Sequence, residues 1–276
     1  MFTTAITRKP CSRFSEGITT AHLGKPDLQL ALQQHGEYIA ALKTCGLEVI
    51  ELDADENFPD SCFVEDVAVI TKEIAVITNP GAESRRREIH SMIPVLEKFR
   101  KLFFIEPPGT LEGGDVMQIV RGTPYGDKHF YIGITERTNE EGAHQLRKIL
   151  SHFGYDCTLI PVTSALHLKS VVNYIGNNNL LASKEFISHP AFKNFNIIEI
   201  ADDDLYAANC LLVNNMLIIP KGFDRVKSQL MKLGTGEPHS YNLGTGEPYP
   251  YNMIELNMTE FEKMDGGLTC LSLRFS

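Results

Sequence analysis

One order of predicted elements repeats along this chain, and that repetition limits its possible folds more than any other feature. The first unit has a helix over residues 26–45, where apolar side chains recur at helical spacing before Gly46. Three short strands follow it, at residues 47–52, 63–70 and 74–78. Further units are predicted to open with helices near Ala82, Asn139, Ser188 and Phe223. Repeats that start about 35 to 57 residues apart are typical of radial arrays.

The strands of the later units keep the same order. They are predicted at residues 102–105, 115–120 and 130–134, then at 157–160, 168–174 and 180–182, then at 196–200, 210–213 and 216–219. The fifth unit supplies residues 253–256 and 269–275, and residues 3–7 are expected to complete it and close a ring. We therefore predict an α/β ring of five units within one domain over residues 1–276. An ordinary mixed α/β sheet is the alternative.

A tandem decapeptide interrupts the fifth unit at residues 233–252. Both copies begin Leu-Gly-Thr-Gly-Glu-Pro, and the segment lies between the fifth predicted helix and its strand. The glycine pairs lack the spacing of a phosphate-binding loop, so a nucleotide site is not predicted. We interpret the segment as an exposed, duplicated loop insertion rich in Gly and Pro.

Composition excludes several classes of protein. The formal charge of −9 over 276 residues, with no basic run longer than Arg85–Arg87, argues against a nucleic-acid partner. No apolar stretch reaches the roughly 20 residues of a membrane span, and the first residues lack a secretory signal, so a cytoplasmic protein is expected. The six cysteines form no CxxC and the nine histidines no HExxH, which disfavours disulfides and a metal site.

Polar residues gather just before the second strand of each unit. Examples are Asp60-Ser61-Cys62-Phe63-Val64-Glu65-Asp66, Glu112-Gly113-Gly114-Asp115, His167, Asn209 and Asp265-Gly266-Gly267-Leu268-Thr269-Cys270. Each has an ordinary explanation alone, since lone thiols are usually buried and acids often stabilise turns. In a ring, however, equivalent positions converge at one mouth. They would bring together a nucleophile, a proton carrier and anions that receive a cation.

These segments carry a family resemblance that runs from Met1 to Ser276 apart from the duplicated loop. The motifs are residues 58–66, Pro80-Gly81-Ala82-Glu83-Ser84-Arg85-Arg86, Glu112-Gly113-Gly114-Asp115, Arg137-Thr138-Asn139, Leu166-His167-Leu168-Lys169 and residues 265–270. Together they resemble the dimethylarginine dimethylaminohydrolases, particularly bacterial ones. That family belongs to the guanidine-modifying enzymes, whose fold is a five-bladed, pseudo-symmetric α/β propeller of the pentein type.

The resemblance implies a single catalytic domain that hydrolyses N-methylated arginines to citrulline and a methylamine, without cofactor or metal. Carried over by position, Cys270 matches the nucleophile, His167 the general acid/base and Glu112 a catalytic carboxylate. The implied substrate-binding residues are Ile18, Asp60, Glu65, Asp66, Arg85, Arg137 and Met264. Ile18 replaces the Leu common in the family's lid loop, and Met264 stands where other apolar residues are usual.

Other functions stay open at this point. An arginine deiminase or an agmatine deiminase would release ammonia. Arginine deiminase chains are typically longer than this one. Agmatine lacks the carboxylate that Arg85 and Arg137 suit. A non-catalytic binder of cationic amino acids and a zinc-dependent hydrolase are further alternatives. The sequence also leaves open the preference between mono- and dimethylated substrate, the physiological role, and the oligomeric state, a homodimer included.

Overall fold

Five separate three-stranded sheets make up the framework of this protein. The computed structural model describes residues 1–119, 128–233 and 252–276. The helices are α1 (Leu28–Thr44), α2 (Ile89–Leu96), α3 (Glu140–Ser151), α4 (Asp224–Leu233) and α5 (Thr259–Glu262). The strands are β1 (Thr4–Arg8), β2 (Glu48–Leu52), β3 (Ala68–Ile70), β4 (Ile74–Ile77), β5 (Lys101–Phe104), β6 (Val116–Ile119), β7 (His129–Ile134), β8 (Asp156–Pro161), β9 (Val172–Tyr174), β10 (Asn179–Ser183), β11 (Asn196–Ile200), β12 (Leu211–Val213), β13 (Met216–Pro220), β14 (Asn252–Leu256) and β15 (Leu273–Phe275). No helix in these ranges is long and apolar enough to cross a bilayer.

Every sheet has the same internal pairing. Its middle strand is antiparallel to one neighbour and parallel to the other, as β4 is to β3 and β5. In the sheet β15-β1-β2, Thr4 pairs with Phe275 on one side and Glu48 on the other. The N-terminal strand therefore completes the fifth unit, as predicted, and joins the two ends of the chain.

Apolar contacts join each sheet to the next. Each of five core clusters contains side chains from two neighbouring sheets, represented by the pairs Ile6 with Ala75, Val76 with Ile132, Met117 with Leu180, Leu181 with Leu217, and Ile218 with Ala5. The last pair returns to the first sheet, so the five units close a ring. This is the predicted five-bladed α/β propeller.

Two of the predicted helices are capped by residues visible in the sequence. The Asp27 side chain accepts a hydrogen bond from the Leu30 amide at the start of α1, and Asn139 accepts one from Gly142 in α3. The helix predicted near Ser188 is wrong, because two 3-10 turns, Lys184–Phe186 and Pro190–Phe192, occupy that position. The connection from β10 to β11 is too short for a full helix and its return.

The polar segments before the second strands are turns rather than strands. The strands predicted at residues 63–70, 168–174 and 269–275 begin only at Ala68, Val172 and Leu273. Turns from adjacent units pack closely near the ring axis: a Cβ at Gly113 would lie 1.9 Å from the Glu65 carbonyl oxygen. Extended backbone would alternate its side chains between two faces, whereas these turns bring Asp66, His167 and Cys270 to one pocket.

Two sequence predictions fall outside the described residues. Of the duplicated loop predicted at 233–252, the structure describes only Leu233, which ends α4, and Asn252, which begins β14. The end of the strand predicted at 115–120 also lies beyond Ile119, the last residue described in that strand.

Candidate active site

One small pocket, with a cavity volume of about 30 Å³, brings together side chains from four of the five units. The predicted site residues that line it are Ile18, Asp60, Asp66, Arg85, Glu112, Arg137, His167, Met264 and Cys270. Phe63, Leu166, Asp265 and Gly266 also line it. Residues separated by more than two hundred positions therefore meet at one place, as the ring predicts.

His167 is held by a carboxylate that is fully buried. Its Nε2 lies 2.8 Å from Oε2 of Glu112 and 4.0 Å from Oδ1 of Asp66. The imidazole passes so close to the Glu112-Gly-Gly-Asp turn that a Cβ at Gly114 would lie 2.6 Å from Nδ1. Burial lowers the pKa of His167, but Asp66, Asp115 and Glu112 outweigh it and raise that pKa to about 9. The group is an imidazolium at neutral pH.

Asp115 fixes the backbone that follows the histidine. Its Oδ1 accepts a hydrogen bond from the Leu168 amide at 2.9 Å, and its Oδ2 accepts one from the Thr135 hydroxyl at 2.8 Å. Complete burial raises the pKa of Asp115 to about 6, although the positive charge of His167 acts to lower it. No role for Asp115 is predicted from the sequence, although its position in the Glu-Gly-Gly-Asp turn made it a candidate.

Asp66 and Arg85 form a buried ion pair at the pocket wall. Arg85 Nη1 lies 2.6 Å from Asp66 Oδ2, and the same guanidinium also donates to Glu88 and to the carbonyl oxygens of Asp60 and Phe63. Burial raises the pKa of Asp66, but the positive charges of His167 and Arg85 outweigh the effect of burial and lower that pKa to about 2. Glu88 was missed by sequence reasoning, yet its position three residues after Arg85 on a helical turn was a usable signal.

Glu112 connects the histidine to the second predicted arginine. Its Oε1 accepts a hydrogen bond from the Ala82 amide at 3.2 Å and lies 3.5 Å from Arg137 Nη1. The hydrogen bond from His167 lowers the pKa of Glu112 although burial opposes that shift. The carboxylate is therefore ionised and oriented from three sides.

Cys270 also lines the pocket, with 9% of its surface exposed. Its Sγ accepts a hydrogen bond from the Gly267 amide at 3.4 Å. Burial, followed by the charges of Glu65 and Asp66, raises the pKa of the Cys270 thiol to about 12. The sulfur is a neutral thiol in the free protein at neutral pH.

The segment that carries Ile18 covers the pocket. The Ile18 amide donates to Asp60 Oδ1 at 3.1 Å, and the Thr20 hydroxyl donates to Asp265 Oδ2 at 3.0 Å. A Cβ at Gly17 would lie 2.3 Å from Asp60 Oδ1, so this close approach requires glycine. A volume of about 30 Å³ holds one or two water molecules and is too small for an amino acid.

Glu65 does not line this pocket in the part of the chain that the structure describes. Its carboxylate contacts Lys169 Nζ at 2.6 Å, the Thr269 hydroxyl at 2.7 Å and Arg274 Nη2 at 3.2 Å. Only its backbone approaches the site, where the Glu65 amide donates to the Cys270 carbonyl oxygen at 3.1 Å. The predicted acid thus faces another part of the molecule.

Asp66, Glu112 and His167 bring one potential ligand atom each within 4.8 Å of one another, the closest such group among the described residues. Asp66 is already paired with Arg85, and Glu112 with His167. The Arg85 guanidinium at 2.6 Å would repel a divalent cation bound to the same carboxylate. This arrangement suits proton transfer better than metal binding.

Known proteins share this fold and sequence over the whole chain. The N(G),N(G)-dimethylarginine dimethylaminohydrolase of Pseudomonas aeruginosa is 44% identical over 277 residues and covers 100% of both chains. The chain belongs to the dimethylarginine dimethylaminohydrolase family. The family model described as "N,N dimethylarginine dimethylhydrolase, eukaryotic" matches residues 20–219, and the Streptomyces coelicolor member is 33% identical over 98% of this chain and 96% of its own.

Solved structures of dimethylarginine dimethylaminohydrolase superpose on the complete chain. A histidine-to-glycine variant, present as its adduct with S-methyl-L-thiocitrulline, matches with a TM-score of 0.89, 42% identity and full coverage of both chains. A cysteine-to-serine variant of the Pseudomonas aeruginosa enzyme, complexed with citrulline, matches with a TM-score of 0.90 and the same identity and coverage. The N-terminal domain of a cyanobacterial arginine dihydrolase has a TM-score of 0.82 at 15% identity, which shows the shared fold alone.

Proposed function

We propose that this chain hydrolyses N-omega-methylated arginines to citrulline and mono- or dimethylamine through a covalent thiouronium on Cys270. The observation that carries the proposal is the single pocket in which that thiol, the imidazolium of His167 and the carboxylates of Asp66 and Glu112 meet. A guanidinium is planar with forked donors, so carboxylates can hold it bidentately with one face toward the sulfur. The family relationship supports the same substrate class.

The proposed reaction has two stages. The bound guanidinium favours loss of the Cys270 proton to solvent, and the resulting thiolate bonds to the guanidinium carbon. His167 donates its proton to the methylated nitrogen as the bond between carbon and that nitrogen breaks. The amine leaves, and a thiouronium remains on the sulfur. His167, now neutral, takes a proton from water, and the hydroxide adds to the same carbon. The bond between carbon and sulfur then breaks, the proton of the added hydroxyl passes to the departing sulfur, and citrulline and the Cys270 thiol are released.

The remaining site residues are proposed to bind the substrate. Asp60, Asp66 and Glu112 face the cation, Ile18 covers it, and the Met264 carbonyl is expected to contact it. A substrate contact by Glu65, which the resemblance implies, stays a prediction, since its carboxylate would first have to leave Lys169.

Arg137 is better placed than Arg85 to bind the substrate carboxylate. Arg85 already donates to two carboxylates and two carbonyl oxygens, whereas the Arg137 guanidinium has one long contact, with Glu112, among the contacts that the structure gives. We expect Arg137→Ala to lower kcat/KM for dimethylarginine by about 10- to 100-fold. With the decarboxylated analogue, which has no carboxylate for Arg137 to bind, the same substitution is expected to change kcat/KM by less than about threefold. Equal losses for the two substrates would contradict this role.

The pH dependence follows from the thiol and the imidazole. Since the pKa values of the free protein are about 12 for Cys270 and about 9 for His167, kcat/KM is expected to rise about tenfold per pH unit and level off near pH 9. The bound guanidinium lies beside the sulfur and favours the thiolate, so the rise in kcat is expected at lower pH than the rise in kcat/KM. Coincident profiles would show that the cation does not assist ionisation.

Metal removal is expected to leave the reaction unchanged. Dialysis against EDTA, followed by assay in buffer treated with a chelating resin, should retain full citrulline production. A loss of activity that zinc restores would instead favour the zinc-dependent hydrolase.

Product analysis tests the proposed function against its nearest rival. Dimethylarginine should yield equal amounts of citrulline and dimethylamine, and plain arginine should react far more slowly. Ammonia and citrulline from plain arginine at the higher rate would make the protein a deiminase, and binding without turnover would make it a binding protein. A single catalytic domain over residues 1–276, a cytoplasmic location, a homodimer and an exposed insertion at 233–252 stay predictions.

A further inference from the structure

We propose that Glu65, Lys169 and Arg274 form an ion cluster that positions the Cys270 loop and sets the charge behind its sulfur. Glu65 is then a positioning residue for this loop. The inference rests on the proposed role of Cys270 as nucleophile, but its first test, an alkylation rate, does not require turnover.

The first support is the geometry of Glu65. Its Oε1 lies 2.6 Å from Lys169 Nζ and 3.2 Å from Arg274 Nη2, and its Oε2 accepts a hydrogen bond from the Thr269 hydroxyl at 2.7 Å. Its backbone amide donates to the Cys270 carbonyl oxygen at 3.1 Å. One residue therefore holds both Thr269 and Cys270.

Arg274 holds the loop from its other side. Its Nη1 donates to the Thr269 carbonyl oxygen at 3.2 Å and to both the carbonyl and hydroxyl oxygens of Ser272 at 2.7 Å. One planar guanidinium thus contacts residues on both sides of Cys270. Asn209 adds two contacts, since its Oδ1 accepts from the Thr269 amide at 2.9 Å and its Nδ2 donates to the Lys169 carbonyl oxygen at 3.2 Å.

The cluster faces a second cavity and not the active-site pocket. Glu65, Lys169, Thr269 and Arg274 line a cavity of about 830 Å³, and none of them is among the residues that line the small pocket. A substrate held beside His167 and Cys270 therefore has the loop between itself and the Glu65 carboxylate. The cluster acts on the sulfur through the loop and through its charge.

The charges of the cluster do not cancel. Two cations face one carboxylate, and the side chains are at most 13% exposed, so water screens them weakly. Glu65 and Asp66 disfavour the Cys270 thiolate, whereas Lys169 and the Gly267 amide favour it. Tyr38 and Tyr206 also interact with the thiol, and the other titratable groups that line its pocket are Asp60, Arg85, Glu112, Arg137, His167 and Asp265.

Two substitutions break the same ion pair and have opposite expected effects. Glu65→Gln leaves two cations behind the sulfur and is expected to lower the Cys270 pKa by about one unit; Lys169→Gln is expected to raise it by a similar amount. The measurement is the rate of Cys270 alkylation by iodoacetamide at pH 8, read by peptide mass spectrometry. Because a lower pKa also weakens the nucleophile, we expect a rate about three- to tenfold faster for the first variant and slower by a similar factor for the second.

The matched control is Lys72→Gln, which removes a lysine of the same cavity and is expected to leave the rate unchanged. Arg274→Lys keeps the charge and loses the planar fork, so it should lower kcat while the alkylation rate stays within about twofold. If Glu65→Gln does not fold, the Arg274→Lys variant serves as the test. A kcat of Arg274→Lys equal to that of the wild type would then overturn the proposal. Rates that change in the same direction in Glu65→Gln and Lys169→Gln, or in neither, would also overturn it. Failure of the proposed function would appear separately, as activity retained without Cys270.

Discussion

Cys270→Ser is expected to lower kcat for dimethylarginine by roughly 10⁴-fold or more. The substitution replaces the sulfur with a hydroxyl whose ionisation is far harder, and no neighbouring base is available because His167 is protonated at neutral pH. The Gly267 amide and the surrounding walls remain, so the variant should still bind substrate or citrulline. Steady-state kinetics and isothermal calorimetry together separate loss of chemistry from loss of binding.

Cys210→Ser is the matched control for this result. Cys210 is also buried and also precedes a second strand, but its Sγ donates to the Ala207 carbonyl oxygen at 3.1 Å, a hydrogen bond that a serine hydroxyl can make. Its activity should remain within about threefold of wild type. Substantial citrulline production by Cys270→Ser, or an equal loss in Cys210→Ser, would contradict the assignment of the nucleophile.

His167→Gly is expected to lower kcat for dimethylarginine by about 10²- to 10⁴-fold. Dimethylamine leaves only when its nitrogen is protonated, and removal of the imidazolium removes the proton donor that Glu112 holds at 2.8 Å. The glycine also leaves Glu112 buried without its partner, so thermal unfolding should be measured alongside the kinetics.

A substrate with a better leaving group distinguishes proton donation from a general structural role. S-methyl-L-thiocitrulline releases methanethiol, which needs no proton from the histidine, so His167→Gly should still form the covalent adduct with it. The adduct should then persist, because the second stage lacks its base. A variant that is equally unreactive toward both compounds would show that His167 does more than transfer protons.

The fold was predictable because the pattern repeats. The order of helix and strands in four of the units follows from periodicity, and the N-terminal strand followed from the missing third strand of the fifth unit. Several bounds differ: α2 begins at Ile89 rather than near Ala82, and the second strands of three units begin later than predicted. Periodicity failed near Ser188, where it predicts a helix but the structure has two 3-10 turns. The short connection and Pro190 favour these turns, although the apolar residues are spaced as in a helix.

The site was predictable in its chemistry but not in its orientations. Cys270, His167 and Glu112 are marked by their positions in equivalent turns, and the ring brings them together. Glu65 and Asp66 are adjacent in sequence and both acidic, yet the turn that carries them directs one carboxylate to Lys169 and the other to Arg85. Periodicity does not determine which way each side chain of a 3-10 turn faces, and a partner as distant in sequence as Arg274 is set by tertiary packing.

The central claim is that residues far apart in the chain place the Cys270 sulfur against the carbon of a bound guanidinium. Rapid acid quench during turnover of dimethylarginine labelled with ¹³C at the guanidino carbon, followed by peptide mass spectrometry, tests it directly. The account predicts a labelled thiouronium on the Cys270 peptide, transient in wild type during turnover of dimethylarginine, and a persistent one in His167→Gly when S-methyl-L-thiocitrulline carries the same label. Citrulline formation with no labelled peptide, or a label on another cysteine, would contradict it.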